Sequence, residues 1–182
     1  MIKSIKIAGF LSLILITFQS VSAQKKESGP IIEKYGAVFQ IDNADYEVDI
    51  QKTFKAVFDI MNSPEDVDQV NPSIETAARF LNMHAQNGIP LEQLKIALVV
   101  HNKASKDVIT SDAYKTKFGT NNPNAELIKA LMAANADIIF CGQSSASRGF
   151  PKEELLDGVQ LSLSAMTALI QLQDNNYRLI KF

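Results

Sequence analysis

The chain reads as a three-layer α/β domain, a mostly parallel sheet with helices on both faces. Three observations lead there. Short apolar runs alternate along the sequence with amphipathic helical patterns, the order that parallel strands joined by crossover helices require. The runs are continuously apolar rather than alternating, which suits strands covered on both faces. Finally, three of these runs stop abruptly in polar residues: Asn62, His101-Asn102, and Cys141-Gly142-Gln143.

Lys55–Ile60, "KAVFDI", reads as the first strand. Asn71-Pro72-Ser73 opens a helix with proline in its first turn, where the missing N–H costs nothing. Ile74, Ala77, Ala78, Leu81 and Ala85 then recur at helical spacing until Gly88-Ile89-Pro90 ends the pattern. Lys95–Val100, "KIALVV", is a buried strand ended by His101. Ser105 is expected to cap a short helix reaching about Phe118. Asn122-Pro123-Asn124 opens another helix, with Leu127, Ile128, Leu131 and Met132 on one face.

Asp137–Phe140 is the next strand and runs into Cys141. The residues after it read as an open Gly/Ser loop, and Pro151-Lys152-Glu153-Glu154 as a helical first turn, with acids favourable against the helix dipole. Gly158–Leu161 suggests a brief strand, Leu163, Ala165, Met166, Leu169 and Ile170 a last helix, and Tyr177–Phe182 a terminal strand. Residues 24–53 carry the weakest pattern: a polar leader, "QKKESG", and a possible extra strand or hairpin arm at "AVFQI".

Residues 1–23 have the layout of a secretory signal peptide. Lys3 and Lys6 form a basic start, Ile7–Phe18 an apolar centre, and Val21-Ser22-Ala23 a small-residue cleavage site. The apolar run is too short to span a bilayer comfortably, so no stable membrane insertion is expected. A secreted or periplasmic location follows, with a mature chain starting near Gln24 and one α/β domain over 54–182. The net charge is −2, with no basic stripe, so nucleic acid is not an expected partner.

Cys141 is the only cysteine, so it cannot form an internal disulfide. It is either an inert buried hydrophobe or a reactive thiol. Its position favours chemistry, because in open parallel sheets ligands gather beyond the carboxyl ends of the strands. Gly142 permits close backbone approach, Gln143, Ser144, Ser145 and Ser147 offer polar groups, and Arg148 with the expected helix at Pro151 supplies positive potential that favours a thiolate. His101 is either an ion-pair partner or proton shuttle for the thiol, or a rim histidine bonded to backbone. His84 reads as a solvated helix residue. Two histidines and one cysteine, widely spaced, make no zinc pattern. The chain has neither a P-loop nor a Gly-x-Ser-x-Gly elbow, and the acidic "MNSPEDVDQ" suits no flavin phosphate.

The segment Cys141-Gly142-Gln143-Ser144-Ser145-Ala146-Ser147-Arg148-Gly149 resembles the cysteine loop of the DsrE/DsrF-like (sulfur-relay, YchN-like) proteins, in which small residues and then an Arg-Gly pair follow the sulfur-carrying cysteine. "ARFLNMHAQNGI", "KIALVVHN" and "LIQLQDNNYRLIKF" are similar to a secreted or periplasmic branch of that family. The resemblance runs from about Phe54 to Phe182. It implies a persulfide on Cys141, no organic cofactor, and a homo-oligomer, often a trimer or hexamer. Arg148 and Gly149 match the motif, and His101 matches the branch's Val-Val-His pattern. Two functions are therefore expected to compete. One is an exported carrier or acceptor of sulfane sulfur, with an unidentified sulfur donor or acceptor as partner. The other is a non-catalytic oligomeric module that binds a small ligand, with Cys141 lining its pocket.

Overall fold

Strand order dictates where every helix goes. A computed structural model describes residues 24–181 of the chain; the expected signal peptide at 1–23 lies outside them, as does Phe182. Five strands, β1 (Phe54–Ile60), β2 (Leu94–Val100), β3 (Asp137–Cys141), β4 (Gln160–Ser162) and β5 (Arg178–Ile180), form one sheet in the order β4-β3-β2-β1-β5. Every pairing is parallel. From β1 to β4 the chain steps in one direction, so right-handed crossovers set the intervening helices on one face. These are α1 (Pro72–Gln86), α2 (Ser111–Phe118), α3 (Ala125–Ala133) and the short α4 (Gly142–Arg148) at the strand ends. The return from β4 to β5 runs the other way, and its helix α5 (Ala165–Asp174) accordingly lies on the opposite face.

Two cores result. The larger joins Phe58, Ile60, Leu98, Val100 and Phe140 of the sheet to Ile74 and Leu81 of α1 and Leu127, Ile128 and Leu131 of α3. The smaller, under α5, contains only Val57, Ala97, Val99, Cys141, Ala165 and Ala168 as buried members. Strand alternation explains the division: Ile138 and Phe140 face one way, Ile139 and Cys141 the other.

α1 starts as expected, with the Asn71 side chain accepting from Ser73 N–H at 2.9 Å. The single helix expected from Ser105 to Phe118 is instead two elements. Asn102–Val108 is a 3-10 helix, Ile109 bridges to Leu155, and Thr110 rather than Ser105 caps α2 through Ala113 N–H at 3.3 Å. Ser105 is fully buried and donates to the Asn102 carbonyl at 2.6 Å. The expected helix at Pro151 is only a 3-10 turn, Lys152–Glu154. "AVFQI" forms no strand; Val38 alone bridges to Glu27. Residues 32–36 are pinned to α1 by Asn82, which accepts from Ile32 N–H and donates to the carbonyls of Ile32, Tyr35 and Gly36.

A buried polar knot fixes the loops at the strand ends. Asp107 is fully buried and accepts from Ser63 Oγ (2.9 Å), Asn71 Nδ2 (2.7 Å) and Asn124 Nδ2 (3.1 Å). Asn122 donates to the carbonyls of Asp107 and Ile109 at 2.8 and 2.7 Å. Burial pushes the Asp107 carboxyl up to about 6, against the opposing pull of Asn71, Ser63 and Lys106. The folded state therefore holds a proton that the unfolded chain has already released between about pH 4 and pH 6. Stability falls as pH rises through that window, on the order of 3 kcal/mol from this group. Urea midpoints near pH 4.5 and near pH 7 should show this loss in the wild type and not in Asp107→Asn. The same trend in both proteins would assign it to other carboxylates.

Candidate functional site

The ends of β1, β2 and β3 lie side by side, with Ile60 paired to Val100 and Val100 to Phe140. One residue further, Cys141 and His101 sit on neighbouring strands and, by alternation, on the α5 face, which Asp59 shares. The expected convergence of strand ends is present. The openness is not, for Cys141 is only 5 % exposed.

What covers the thiol is the connection from β4 to α5. α4 begins directly after the cysteine, which is its N-cap, so the expected open Gly/Ser loop is a helix. A Cβ on Gly142 would lie 2.5 Å from the Ser162 carbonyl oxygen and 3.3 Å from that of Leu163. Glycine is thus required for α4 to lie against this connection. Gln143 Nε2 donates to Leu163 O at 3.4 Å, and Ser162 Oγ to Phe140 O at 3.0 Å. Ser164 then caps α5, accepting from Thr167 N–H at 3.1 Å. Two helix starts consequently meet at one sulfur.

Burial raises the thiol pKa, but the N–H groups of Ser144 and Ala165, the Ser144 hydroxyl and the Gln143 N–H outweigh it, and the net position is below the ordinary thiol range. None of these donors closes a full N-cap hydrogen bond to the sulfur, so they act as aimed dipoles. Neither Arg148 nor a helix at Pro151 is the source of the effect, which is a correction to the expectation from sequence.

His101 Nε2 lies 2.7 Å from Asp59 Oδ1, and Asp59 Oδ2 lies 3.6 Å from Lys181 Nζ. A carboxylate cannot donate, so Nε2 carries the proton and Nδ1 is the basic position of the neutral ring. The bonding partner is a side chain, not backbone. Asp59 is the residue missed from sequence; its one signal was an acid inside an otherwise apolar run. His84 is half-buried rather than solvated, stacked on Phe80 with ring centroids 4.1 Å apart, and burial lowers its pKa.

The other expected site residues tie the rim together. Asn102, at φ 53°, donates its N–H to Ser144 Oγ at 3.0 Å and accepts from Arg148 Nη2 through its side chain. Gly149 ends α4 in the left-handed region at φ 69°, where its lack of a Cβ removes the strain. Arg148 lines a cavity whose walls do not include Cys141. Among the described residues no cluster of His, Cys, Asp or Glu is suited to a metal, and no helix is long and apolar enough to cross a membrane.

A parallel five-stranded sheet with a strand-end cysteine, a helix starting at that cysteine and an Arg-Gly stop defines the class of protein. The DsrE/DsrF-like family model matches residues 55–182, and the chain belongs to that family. Two solved structures share the fold. The YchN protein of E. coli is 18 % identical, with TM-score 0.51, over 71 % of this chain and 99 % of its own. MTH1491 of Methanobacterium thermoautotrophicum, a protein of unknown function, is 16 % identical, with TM-score 0.50, over 70 % of this chain and 97 % of its own. A search of curated proteins returned no match.

Replacing Gly142 by alanine should force the Ser162–Leu163 backbone away from α4, at a cost of about 1–3 kcal/mol. The Ala165 N–H moves with that segment, so the Cys141 pKa should rise. The rate of Cys141 alkylation against pH reads both changes; an unshifted profile in a destabilised variant would show that the contact is purely structural.

Proposed function

We propose that the protein is an exported carrier or acceptor of sulfane sulfur that holds it as a persulfide on Cys141. The observation that carries this reading is the thiol held below its ordinary pKa by the starts of α4 and α5, on the strand end beside His101 and Asp59. The thiolate attacks the outer sulfur of a donor R–S–SH. The donor S–S bond breaks, R–S⁻ leaves with the electron pair, and Cys141–S–SH forms without net oxidation. His101, oriented by Asp59, takes the Cys141 thiol proton at Nδ1 and returns it to the leaving thiolate, so that Cys141–S–SH and R–SH are the products. The reaction asks for no metal and no organic cofactor.

Family membership supports a sulfur-relay chemistry, and the signal-like residues 1–23 support export. In an exporting cell the mature chain should begin near Gln24, which intact-mass measurement on the purified protein checks. A homo-oligomer, trimer or hexamer, is supported by the resemblance and by apolar side chains left in water around α5: Leu163 and Met166 are each 73 % exposed and Ile170 59 %. Light scattering giving a single-chain mass would reject it.

A low-molecular-weight persulfide should add one sulfur atom to Cys141, and Cys141→Ser should abolish the adduct while leaving the fold intact. Asp59→Asn and His101→Ala should each slow its formation about tenfold or more if the imidazole handles the proton. The competing reading, a ligand-binding module in which the cysteine only packs, is favoured by the 5 % exposure of Cys141. It wins if mass spectrometry finds no adduct on folded wild type and Cys141→Ser is strongly destabilised.

A further inference from the structure

We infer that a second site lies beyond the far end of α4 and binds a compact organic anion, an acid group attached to an apolar or aromatic body. It is a cavity of about 670 Å³ among the 63–67 loop, the 3-10 helix Asn102–Val108, α2 and the end of α4. That volume falls in the range of small-ligand pockets, roughly 300–1,000 Å³. Cys141 is not among its walls, so the proposal does not rest on persulfide chemistry.

The charge on the walls selects the ligand. Four cations line the cavity, Lys103, Lys106, Lys117 and Arg148, in a chain whose net charge is −2. Two of the four are offset: Lys117 Nζ lies 3.1 Å from Glu154 Oε2, in an ion pair, and Lys106 acts on the buried Asp107 carboxylate. Lys103 has no carboxylate partner among the described residues, and Arg148 engages only the neutral Asn102 amide oxygen. These two charges, against Glu65 on the same wall, leave the cavity net positive.

The walls also select an apolar body. Phe118 and Phe150 line the cavity between the cations. Lys117 Nζ sits 5.6 Å from the Phe150 ring centroid and Lys106 Nζ 6.0 Å from that of Phe118, so ammonium groups and ring faces already lie together. Val67 adds further apolar wall, and Ser63 and Ser147, whose hydroxyls already donate to Asp107 and to the Ser144 carbonyl, complete the lining. A bare inorganic anion would use the cations and leave the rings wet. A neutral aromatic would bury the rings and leave the charges unmet. An organic acid satisfies both.

The test uses phenyl phosphate and benzoate as probes, with inorganic phosphate and benzylamine as comparators, titrated into the full mature chain by calorimetry. Phenyl phosphate should bind at one site per chain, with a dissociation constant on the order of 1 mM or tighter, and weaken with salt. Inorganic phosphate should bind at least tenfold more weakly and benzylamine not at all. The double variant Lys103→Glu/Arg148→Glu should lose at least tenfold, with an unchanged melting curve showing that it is folded. Glu65→Gln should gain about twofold to threefold, a change that misfolding cannot produce. Cys141→Ser should bind as the wild type does, so failure of the persulfide chemistry leaves this result standing. Phosphate binding as tightly as phenyl phosphate, equal binding of benzylamine, or affinity indifferent to both the charge reversal and Glu65→Gln would overturn the proposal.

Discussion

The return of the chain from β4 to β5, from one edge of the sheet to the other, is the constraint on which the rest depends. Strands added in one direction collect their crossover helices on one face, and the reversed step sends α5 alone to the other. One ten-residue helix must then serve a five-stranded face. Such a helix is about 10 Å across with its side chains, and five strands side by side are about 20 Å wide. Full coverage is impossible. The small buried set beneath α5 and the exposed Leu163, Met166 and Ile170 beside it are two results of the same shortfall.

The cysteine inherits its properties from that arrangement. Because α5 has to start just beyond β4, its first N–H groups arrive where β3 ends and α4 begins, and Gly142 lets the two segments approach. A sulfur buried among Val57, Ala97 and Val99 would by burial alone be a poor thiolate. Backbone dipoles reverse the balance without placing a charged side chain in an apolar cluster, where desolvation would cost several kcal/mol. The Asp59 carboxylate and its partners His101 and Lys181 lie toward the ends of β1, β2 and β5, where water reaches Lys181, while Lys55 and Asp137 stand at the opposite ends of their strands.

How much of this could be read in the sequence depends on how local each cause is. Continuous apolar runs and the Asn71-Pro72-Ser73 start encode β1, β2, β3 and α1 within a few residues, and these elements were legible. The break between Val108 and Ser111 was not, because it is made by the bridge from Ile109 to Leu155, a partner 46 positions away along the chain. Helix α4 was hidden for the opposite reason: Gly, Gln and Ser have modest helix propensity, and the seven residues stand through tethers from Ser144 to Asn102 and from Gln143 to Leu163. Position at a rim named Cys141, His101, Asn102 and Arg148. The pairing of His101 with Asp59 needed the β1–β2 register, which no single strand carries.

The same geometry sets a tension between reactivity and access. The Ala165 N–H, one of the dipoles aimed at Cys141 beside those of Ser144 and Gln143, opens α5 and stays on the sulfur only while the β4–α5 connection is seated against α4. Access of any reagent to the sulfur needs it displaced, since the seated segment leaves the residue 5 % exposed. The tethers that hold it are few and individually weak. The Gln143 contact at 3.4 Å is a long hydrogen bond, and the Ser162 bond to Phe140 joins only the first residue of the segment to the sheet. Leu163, in the middle, is left largely exposed in the single chain. A surface that buried Leu163 and Met166 would therefore act on the thiol through the segment they flank, holding the dipoles on the sulfur or drawing them off. Whatever covers the face that α5 leaves open would thereby be coupled to the state of the thiol.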